Sequence, residues 1–230
     1  MLDRLRALLV LACLGGLPAA AHAVPEDLQG WEGARWGMTG AELDRAFGER
    51  LTRLPGRWVY GGAYAERAIL NHGLGDLDFT VYFQMNDDSE RLQQVLLERR
   101  QQDALPVSFQ KLQEALELRY GAAGEACLLS ERDPTGLELI WRFPSTTLHA
   151  TFLNFFSTSV LYFDPSLDFE PLRAQREERV IGRRTLPRRI TLRYHPSDRE
   201  DLLSPRSTCF PSLQALQDSL TEGSETEGTQ

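Results

Sequence analysis

The sequence predicts an α+β protein in which two helices pack on one face of an antiparallel sheet. The first observation behind this prediction is the order of the elements, because a helical pattern followed by strand patterns occurs twice between residues 24 and 168. The second is the alternation of apolar and polar residues in the strand patterns, which is typical of a sheet with one buried face. We therefore expect two helix-strand units in one sheet, followed by an Arg-rich C-terminal extension.

The first helix is predicted to begin after Thr39, because Thr39 and Glu42 have the spacing of a capping box. Apolar residues then recur at helical spacing, namely Leu43, Ala46, Phe47 and Leu51. Gly48 supplies a left-handed stop, although the pattern could also continue to Leu54.

The strands of the first unit follow this helix. Residues 57–70 are predicted to include one strand, interrupted by Gly61-Gly62. Residues 77–85 alternate strictly between apolar and polar side chains, which predicts a half-buried strand. A polar turn over residues 86–89 leads to a third strand that ends near Arg100.

The second unit repeats this order. Its helix is predicted over residues 106–121, with Pro106 in the first turn and Gly121 at the end. Four strand patterns follow, at residues 125–130, 137–143, 148–152 and 160–163.

The C-terminal part changes in composition. Residues 169–206 form the Arg-rich extension, in which the alternating Ile190, Leu192 and Tyr194 allow a short strand. Residues 207–230 are predicted to form a short helix and a disordered acidic tail. The arginines could recognise phosphate or a carboxylate-rich partner, or pair internally with the excess acids of the chain.

Residues 1–23 have the layout of a secretory signal, with a charged start, an apolar run and the cleavage pattern Ala21-His22-Ala23. Cleavage near Ala23 predicts a periplasmic or secreted protein. In the alternative, a lipid anchor is attached at Cys13 within Val10-Leu11-Ala12-Cys13, but the apolar run continues past Cys13 and favours plain cleavage. No later apolar run is long enough to predict a transmembrane segment.

Export would leave two cysteines, Cys127 and Cys209. A disulfide between them is the simplest interpretation in an oxidising compartment, and two unpaired thiols are the alternative. Two cysteines cannot form a structural zinc site. The acidic turn at residues 86–90 lacks the spacing of a calcium loop, so we expect no metal and no cofactor.

The charge and the motifs exclude several functions. The net charge of −8 disfavours binding to nucleic acid or to anionic lipid. The sequence contains no phosphate-binding loop, no H-E-x-x-H zinc motif, no C-x-x-C and no G-x-S-x-G, so no catalytic residue is assigned.

The polar residues of the predicted strands would share the sheet face away from the helices. Tyr82, Arg142, His149 and Thr151 are the candidate binding residues on that face. Tyr, Arg and His side chains mixed with hydroxyls suit a protein partner or a polar ligand. The competing explanation is that every half-buried antiparallel sheet has a polar face.

Residues 37–48, GMTGAELDRAFG, resemble the G-M-T-x-x-E-[VL]-x-x-x-[LF]-G signature at the helix of small envelope lipoproteins of the SmpA/OmlA type. The segment is similar also to the helix-loop-strand units of the β-lactamase-inhibitor-protein type. Those families are exported α+β modules without catalytic activity that bind other proteins, so the resemblance implies the same kind of function. The sequence departs from them in its Arg-rich C-terminal region and in the poor lipid-attachment pattern around Cys13.

We therefore expect a non-catalytic exported bacterial protein that binds an envelope protein or a small polar ligand through the polar sheet face. One alternative is an envelope hydrolase or transferase with an unrecognised site, for which His149 is the first candidate. Another is an assembly factor that is anchored to a membrane through a lipid on Cys13.

Overall fold

The computed structural model describes residues 24–60, 62–99, 104–129, 136–154, 188–199, 201 and 208–226. Within these ranges the chain forms one nine-stranded antiparallel sheet with three α-helices, in agreement with the predicted α+β class. The helices are α1 (Gly40–Phe47), α2 (Pro106–Tyr120) and α3 (Leu213–Thr226). The predicted signal segment, Cys13 and the strand predicted at residues 160–163 lie outside the described residues.

The strands are β1 (Thr52–Tyr60), β2 (Ala63–Leu74), β3 (Leu77–Asn86), β4 (Leu92–Arg99), β5 (Glu125–Leu128), β6 (Gly136–Arg142), β7 (Thr146–Asn154), β8 (Arg188–Pro196) and β9 (Thr208–Phe210). Their order in the sheet is β1-β2-β3-β4-β8-β7-β6-β5-β9. The possible strand predicted in the Arg-rich region is therefore β8, and it lies at the centre of the sheet between β4 and β7. The predicted division into two helix-strand units and an extension stays a prediction.

Helix α1 begins as the capping pattern predicts. The Glu42 side chain accepts a hydrogen bond from the Thr39 backbone N–H at 2.7 Å, and Thr39 Oγ1 accepts one from the Glu42 N–H at 3.3 Å. The helix ends at Phe47, and a 3-10 turn spans Gly48–Arg50. Gly48 has φ 52, which glycine adopts without strain. The alternative continuation to Leu54 was wrong, because β1 already begins at Thr52.

The segment predicted to hold one interrupted strand holds two. β1 ends at Tyr60 and β2 begins at Ala63, and Tyr60 and Ala63 are directly paired. Gly62 has φ 83 between them. Glycine at this position lets the chain reverse tightly between the two strands of a hairpin.

The helices cover one face of the sheet, which we call the helix-covered face. Its core contains the rings of Phe47 and Phe83, with centroids 5.0 Å apart, and Trp31 packs on both. Leu112 of α2 and Leu216 of α3 extend the same core along the sheet. Burying such a side chain contributes about 1.5–3 kcal/mol, so this face supplies the main hydrophobic stabilisation.

The segment before α1 is tied to the turn between β6 and β7. The Asp27 carboxylate accepts hydrogen bonds from the Ser145 N–H at 2.8 Å and from the Ser145 hydroxyl at 2.7 Å. Thr146 Oγ1 accepts hydrogen bonds from the Gly30 N–H and the Trp36 indole. A Cβ at Gly30 would lie 1.9 Å from the Ala34 carbonyl oxygen, so only glycine fits there.

The disulfide predicted between Cys127 and Cys209 is present, with an S–S distance of 2.10 Å. The two residues are directly opposite one another on β5 and β9. The bond therefore fixes the outermost strand β9 to the rest of the sheet, and α3 follows β9 directly.

Candidate functional site

The candidate site lies on the sheet face opposite the helices, which we call the polar face. Directly paired residues of antiparallel strands point to the same side, so the strand register assigns the members of this face. One cross-strand row consists of Tyr82, Leu96, Arg193, His149 and Ile140. The next row consists of Thr80, Glu98, Thr191, Thr151, Glu138, Cys127 and Cys209.

The structure places all four predicted binding residues on the polar face but brings only two of them together. His149 and Thr151 are neighbours on one side of β7, and both contact Glu138. Tyr82 on β3 is three strands away from β7, which at the usual strand spacing is about 14 Å. Arg142 lies at the end of β6, where its Nε donates to Glu125 at 2.6 Å.

The expectation that this face is free for a partner does not hold for three of the four residues. Tyr82, His149 and Thr151 are buried, and only Arg142 is exposed. Tyr82 belongs to a small apolar cluster with Ala65, Ala68 and Leu96. Each of these side chains also has cross-strand neighbours on both sides.

Three buried side chains form a chain of polar contacts across β6, β7 and β8. His149 Nδ1 lies 3.1 Å from Glu138 Oε1, and His149 Nε2 lies 3.0 Å from His195 Nε2. His195 Nδ1 lies 2.6 Å from the Pro196 carbonyl oxygen. His149 is 1% exposed and His195 is 0% exposed. We call this set the Glu138–His149–His195 chain.

The geometry of the chain bears on the predicted catalytic alternative. Both ring nitrogens of His149 contact protein atoms, so neither is directed at a substrate. A general base must reach the proton that it removes. The hydrolase or transferase hypothesis therefore gains no support from His149.

A cavity of about 480 Å³ opens on the polar face above β3, β4 and β8. This volume is within the usual range of ligand pockets, about 300–1,000 Å³. The amides of Gln84 and Gln94 lie at one side, and Leu96 supplies an apolar part of the wall. The charged residues of the lining are Asp88, Glu98, Arg189, Arg193, Arg199 and Asp201.

Two of the three arginines in this lining are paired with carboxylates. Arg189 Nε lies 3.1 Å from Glu98 Oε1, and Arg199 Nε lies 2.7 Å from Asp201 Oδ1. The predicted internal pairing of the arginines with acids therefore holds at both positions.

Arg193 differs from its two neighbours. Its Nε is buried and has no hydrogen-bond partner within the ranges that the structure describes. Burial lowers the pKa of Arg193 below its ordinary value, and the Glu138 and Glu98 carboxylates act in the opposite direction. The guanidinium remains charged at neutral pH because arginine does not lose its proton in proteins. The cavity thus contains a cation whose hydrogen-bonding capacity is not fully used.

Sequence reasoning did not find Arg193, Gln94 or His195 as site residues. The alternation of Ile190, Leu192 and Tyr194 placed Arg193 on the polar side of a possible strand, and this signal was correct. The sequence does not indicate that β8 pairs with β4 and β7. Only that pairing brings Arg193 beside Leu96 and His149.

The described residues contain one group of three potential metal ligands, formed by Glu125, Cys127 and Cys209. Both sulfurs belong to the disulfide, so they cannot act as thiolate ligands.

The predicted polar turn after β3 is held by its own side chains, since Asn86 Oδ1 accepts hydrogen bonds from the Ser89 N–H and hydroxyl.

No protein-family model, no curated protein and no solved structure matches this chain. The resemblance to small envelope lipoproteins and to β-lactamase-inhibitor-type units is therefore neither supported nor contradicted, and the function rests on the site itself. Among the residues that the structure describes, no helix has the length and apolar character needed to cross a membrane.

Proposed function

We propose that this is a non-catalytic exported binding protein, and that its polar sheet face holds a small anionic ligand. The observation that carries the proposal is the cavity of about 480 Å³ with the incompletely hydrogen-bonded Arg193 in its wall. A buried cation without a full set of hydrogen bonds costs free energy, and a carboxylate or phosphate oxygen would satisfy it.

The other lining groups suit the same class of ligand. The amides of Gln84 and Gln94 can both donate and accept hydrogen bonds, which is the chemistry that polar ligands with hydroxyl or carbonyl groups require. Leu96 offers an apolar surface for the carbon skeleton of such a ligand. A small organic anion, such as a dicarboxylate or a phosphorylated sugar, combines these features.

The proposed export draws support from the disulfide. Cys127 and Cys209 are bonded, and structural disulfides persist mainly in oxidising compartments such as the periplasm. The signal segment and cleavage near Ala23 complete this part of the proposal.

The test is direct binding measured by isothermal titration calorimetry with sulfate, succinate and glucose 6-phosphate. Arg193→Met should weaken binding of the responding anion about 10- to 100-fold, because a hydrogen bond to a charged group contributes about 1.5–3 kcal/mol. The matched control is Arg142→Met, which removes an exposed arginine from the same face outside the cavity lining. It should leave the affinity unchanged.

Two results would contradict this proposal. If Arg193→Met and Arg142→Met bind all three anions as the native protein does, the cavity is not the site. If an envelope protein is recovered by pull-down and lost with Arg142→Ala but not with Arg193→Met, the exposed end of β6 is the binding surface. That second outcome would favour the protein partner expected from the sequence.

A further inference from the structure

The donor and the acceptor are fixed at one end of the Glu138–His149–His195 chain. The Pro196 carbonyl oxygen can only accept a hydrogen bond, so His195 Nδ1 must carry the proton in their 2.6 Å contact. The Nε2 of a neutral His195 is then an acceptor. Its neighbour at 3.0 Å, His149 Nε2, must therefore donate.

The proton count of the chain follows from this direction. Each of its three contacts needs one proton: Glu138 to His149, His149 to His195, and His195 to the Pro196 carbonyl. An ionised glutamate and two neutral imidazoles together hold only two protons. All three contacts can be attractive at once only if the chain holds one additional proton. While His195 is neutral, this proton lies between Glu138 and His149.

The surroundings determine how this extra proton responds to other charges. Several other charged groups within the described residues face the chain. They are Arg142 on β6, Glu125 on β5, Arg189 and Arg193 on β8, Glu98 on β4, and Asp201 beyond β8. Arg193 is the closest cation in register, because it is directly paired with His149.

We propose that the Glu138–His149–His195 chain stores one proton and couples its uptake to anion binding at Arg193. This inference rests on the proposed function, since it adds a regulation to the same site. With the extra proton the chain is neutral, and without it the chain has one negative charge. The Arg193 cation stabilises the negative form, and an anion bound to Arg193 removes that stabilisation. Anion binding therefore favours proton uptake.

The linkage is reciprocal, so protonation of the chain must also raise the affinity for the anion. Anion affinity is highest at low pH, where the chain is protonated, and it falls as the pH rises. If one proton is fully linked, the dissociation constant rises up to about tenfold per pH unit. A fully exposed binding site built from arginine alone would show no such dependence, because arginine does not titrate in this range.

The first measurement needs no ligand. Nitrogen-15 NMR of the native protein should show His195 as the neutral Nδ1–H tautomer and one strongly downfield proton signal shared by Glu138 and His149. The signal should disappear in Glu138→Gln, whose amide cannot release a proton. Two neutral imidazoles with no shared proton at neutral pH would overturn the inference, as would a stoichiometric metal ion between the two Nε2 atoms in the purified protein.

The second measurement is calorimetric titration with sulfate between about pH 6 and about pH 9, a window that includes the ordinary histidine pKa. In buffers of different ionisation enthalpy, the native protein should take up as much as about one proton per sulfate bound. The control is His72→Gln, since His72 packs against Trp31 on the helix-covered face. It should retain the proton uptake, whereas Glu138→Gln should lose it while still binding sulfate.

The two measurements separate the possible failures. If none of sulfate, succinate and glucose 6-phosphate binds at any pH, the coupling fails together with the proposed function, while the NMR signal still reports on the stored proton. If sulfate binds with an affinity independent of pH and without proton uptake, the proposed function stands and this inference is overturned.

Discussion

Two arginines on opposite sides of the sheet, Arg67 and Arg193, are held in different ways. Arg67 of β2 lies against the start of α1, where its guanidinium donates two hydrogen bonds to Asp44, at 2.9 and 3.1 Å, and contacts Glu66. Arg193 of β8 lies on the polar face beside the cavity, with a buried Nε that has no hydrogen-bond partner in the described structure.

The difference is visible in the pKa values. The hydrogen bonds from Arg67 to Asp44 raise the pKa of Arg67, whereas burial lowers the pKa of Arg193. The first arginine is stabilised by its place in the fold, and the second is destabilised by it. Residues that are costly to the fold concentrate at sites of function, so the contrast favours Arg193 over Arg67 as a ligand-binding group.

The largest expected effect is on the free energy of unfolding. It compares substitutions at two adjacent residues of β3, one on each face of the sheet. Phe83 is 0% exposed in the helix-covered core, and Gln84 lies on the polar face with its amide bonded to Gln94. Phe83→Ala should lower the free energy of unfolding by about 3–5 kcal/mol. Gln84→Ala should lower it by only about 1–3 kcal/mol, the cost of leaving the buried Gln94 amide without this partner.

Urea denaturation followed by tryptophan fluorescence measures both variants. Equal losses of stability would show that the polar face is a second structural core, which would weaken the case for a binding site there. A loss confined to Phe83→Ala would sharpen the division between a stabilising face and a functional face.

The next largest effect is the difference in stability between substitutions at the two arginines. Arg67→Met should lower the free energy of unfolding by about 1.5–3 kcal/mol, because it removes charge-assisted hydrogen bonds. Arg193→Met should leave the stability within about 1 kcal/mol of the native value or raise it, because it removes a half-buried charge whose buried Nε lacks a hydrogen bond. Thermal and urea unfolding check both, and a loss at Arg193→Met as large as that at Arg67→Met would show that Arg193 supports the fold.

The parts of this structure that sequence reasoning reached do not depend on the order of the strands in the sheet. The Thr39–Glu42 capping box involves residues three apart, and its hydrogen bonds are present as predicted. The Cys127–Cys209 bond was predicted from the number of cysteines left after export, without any knowledge of strand order. Both inferences depend on chemistry that does not require the sheet topology.

The parts that sequence reasoning missed depend on pairing between distant segments. His149 and His195 are 46 residues apart, and Arg193 meets Leu96 only because β8 lies between β4 and β7. Alternation within one strand indicates which side chains share a face, but it does not indicate which strand lies next to it. The polar face was therefore predicted, whereas its centre, its cavity and its burial were not.

The smallest effect concerns the partner of Arg67. Hydrogen bonds from Arg67 lower the pKa of Asp44 below its ordinary value of 3.8, although burial opposes them. A carboxylate with a lowered pKa stabilises the fold above the unfolded pKa, and this contribution is lost as the pH falls through the lowered value. Because Asp44 is partly exposed, Asp44→Asn should cost only about 1 kcal/mol at neutral pH.

Urea denaturation should show that the free energies of unfolding of the native protein and this variant converge below about pH 4, the range in which an aspartate becomes protonated. A difference that persists unchanged into strong acid would mean that the Asp44 charge is not what holds Arg67, and the contrast with Arg193 would then need another cause.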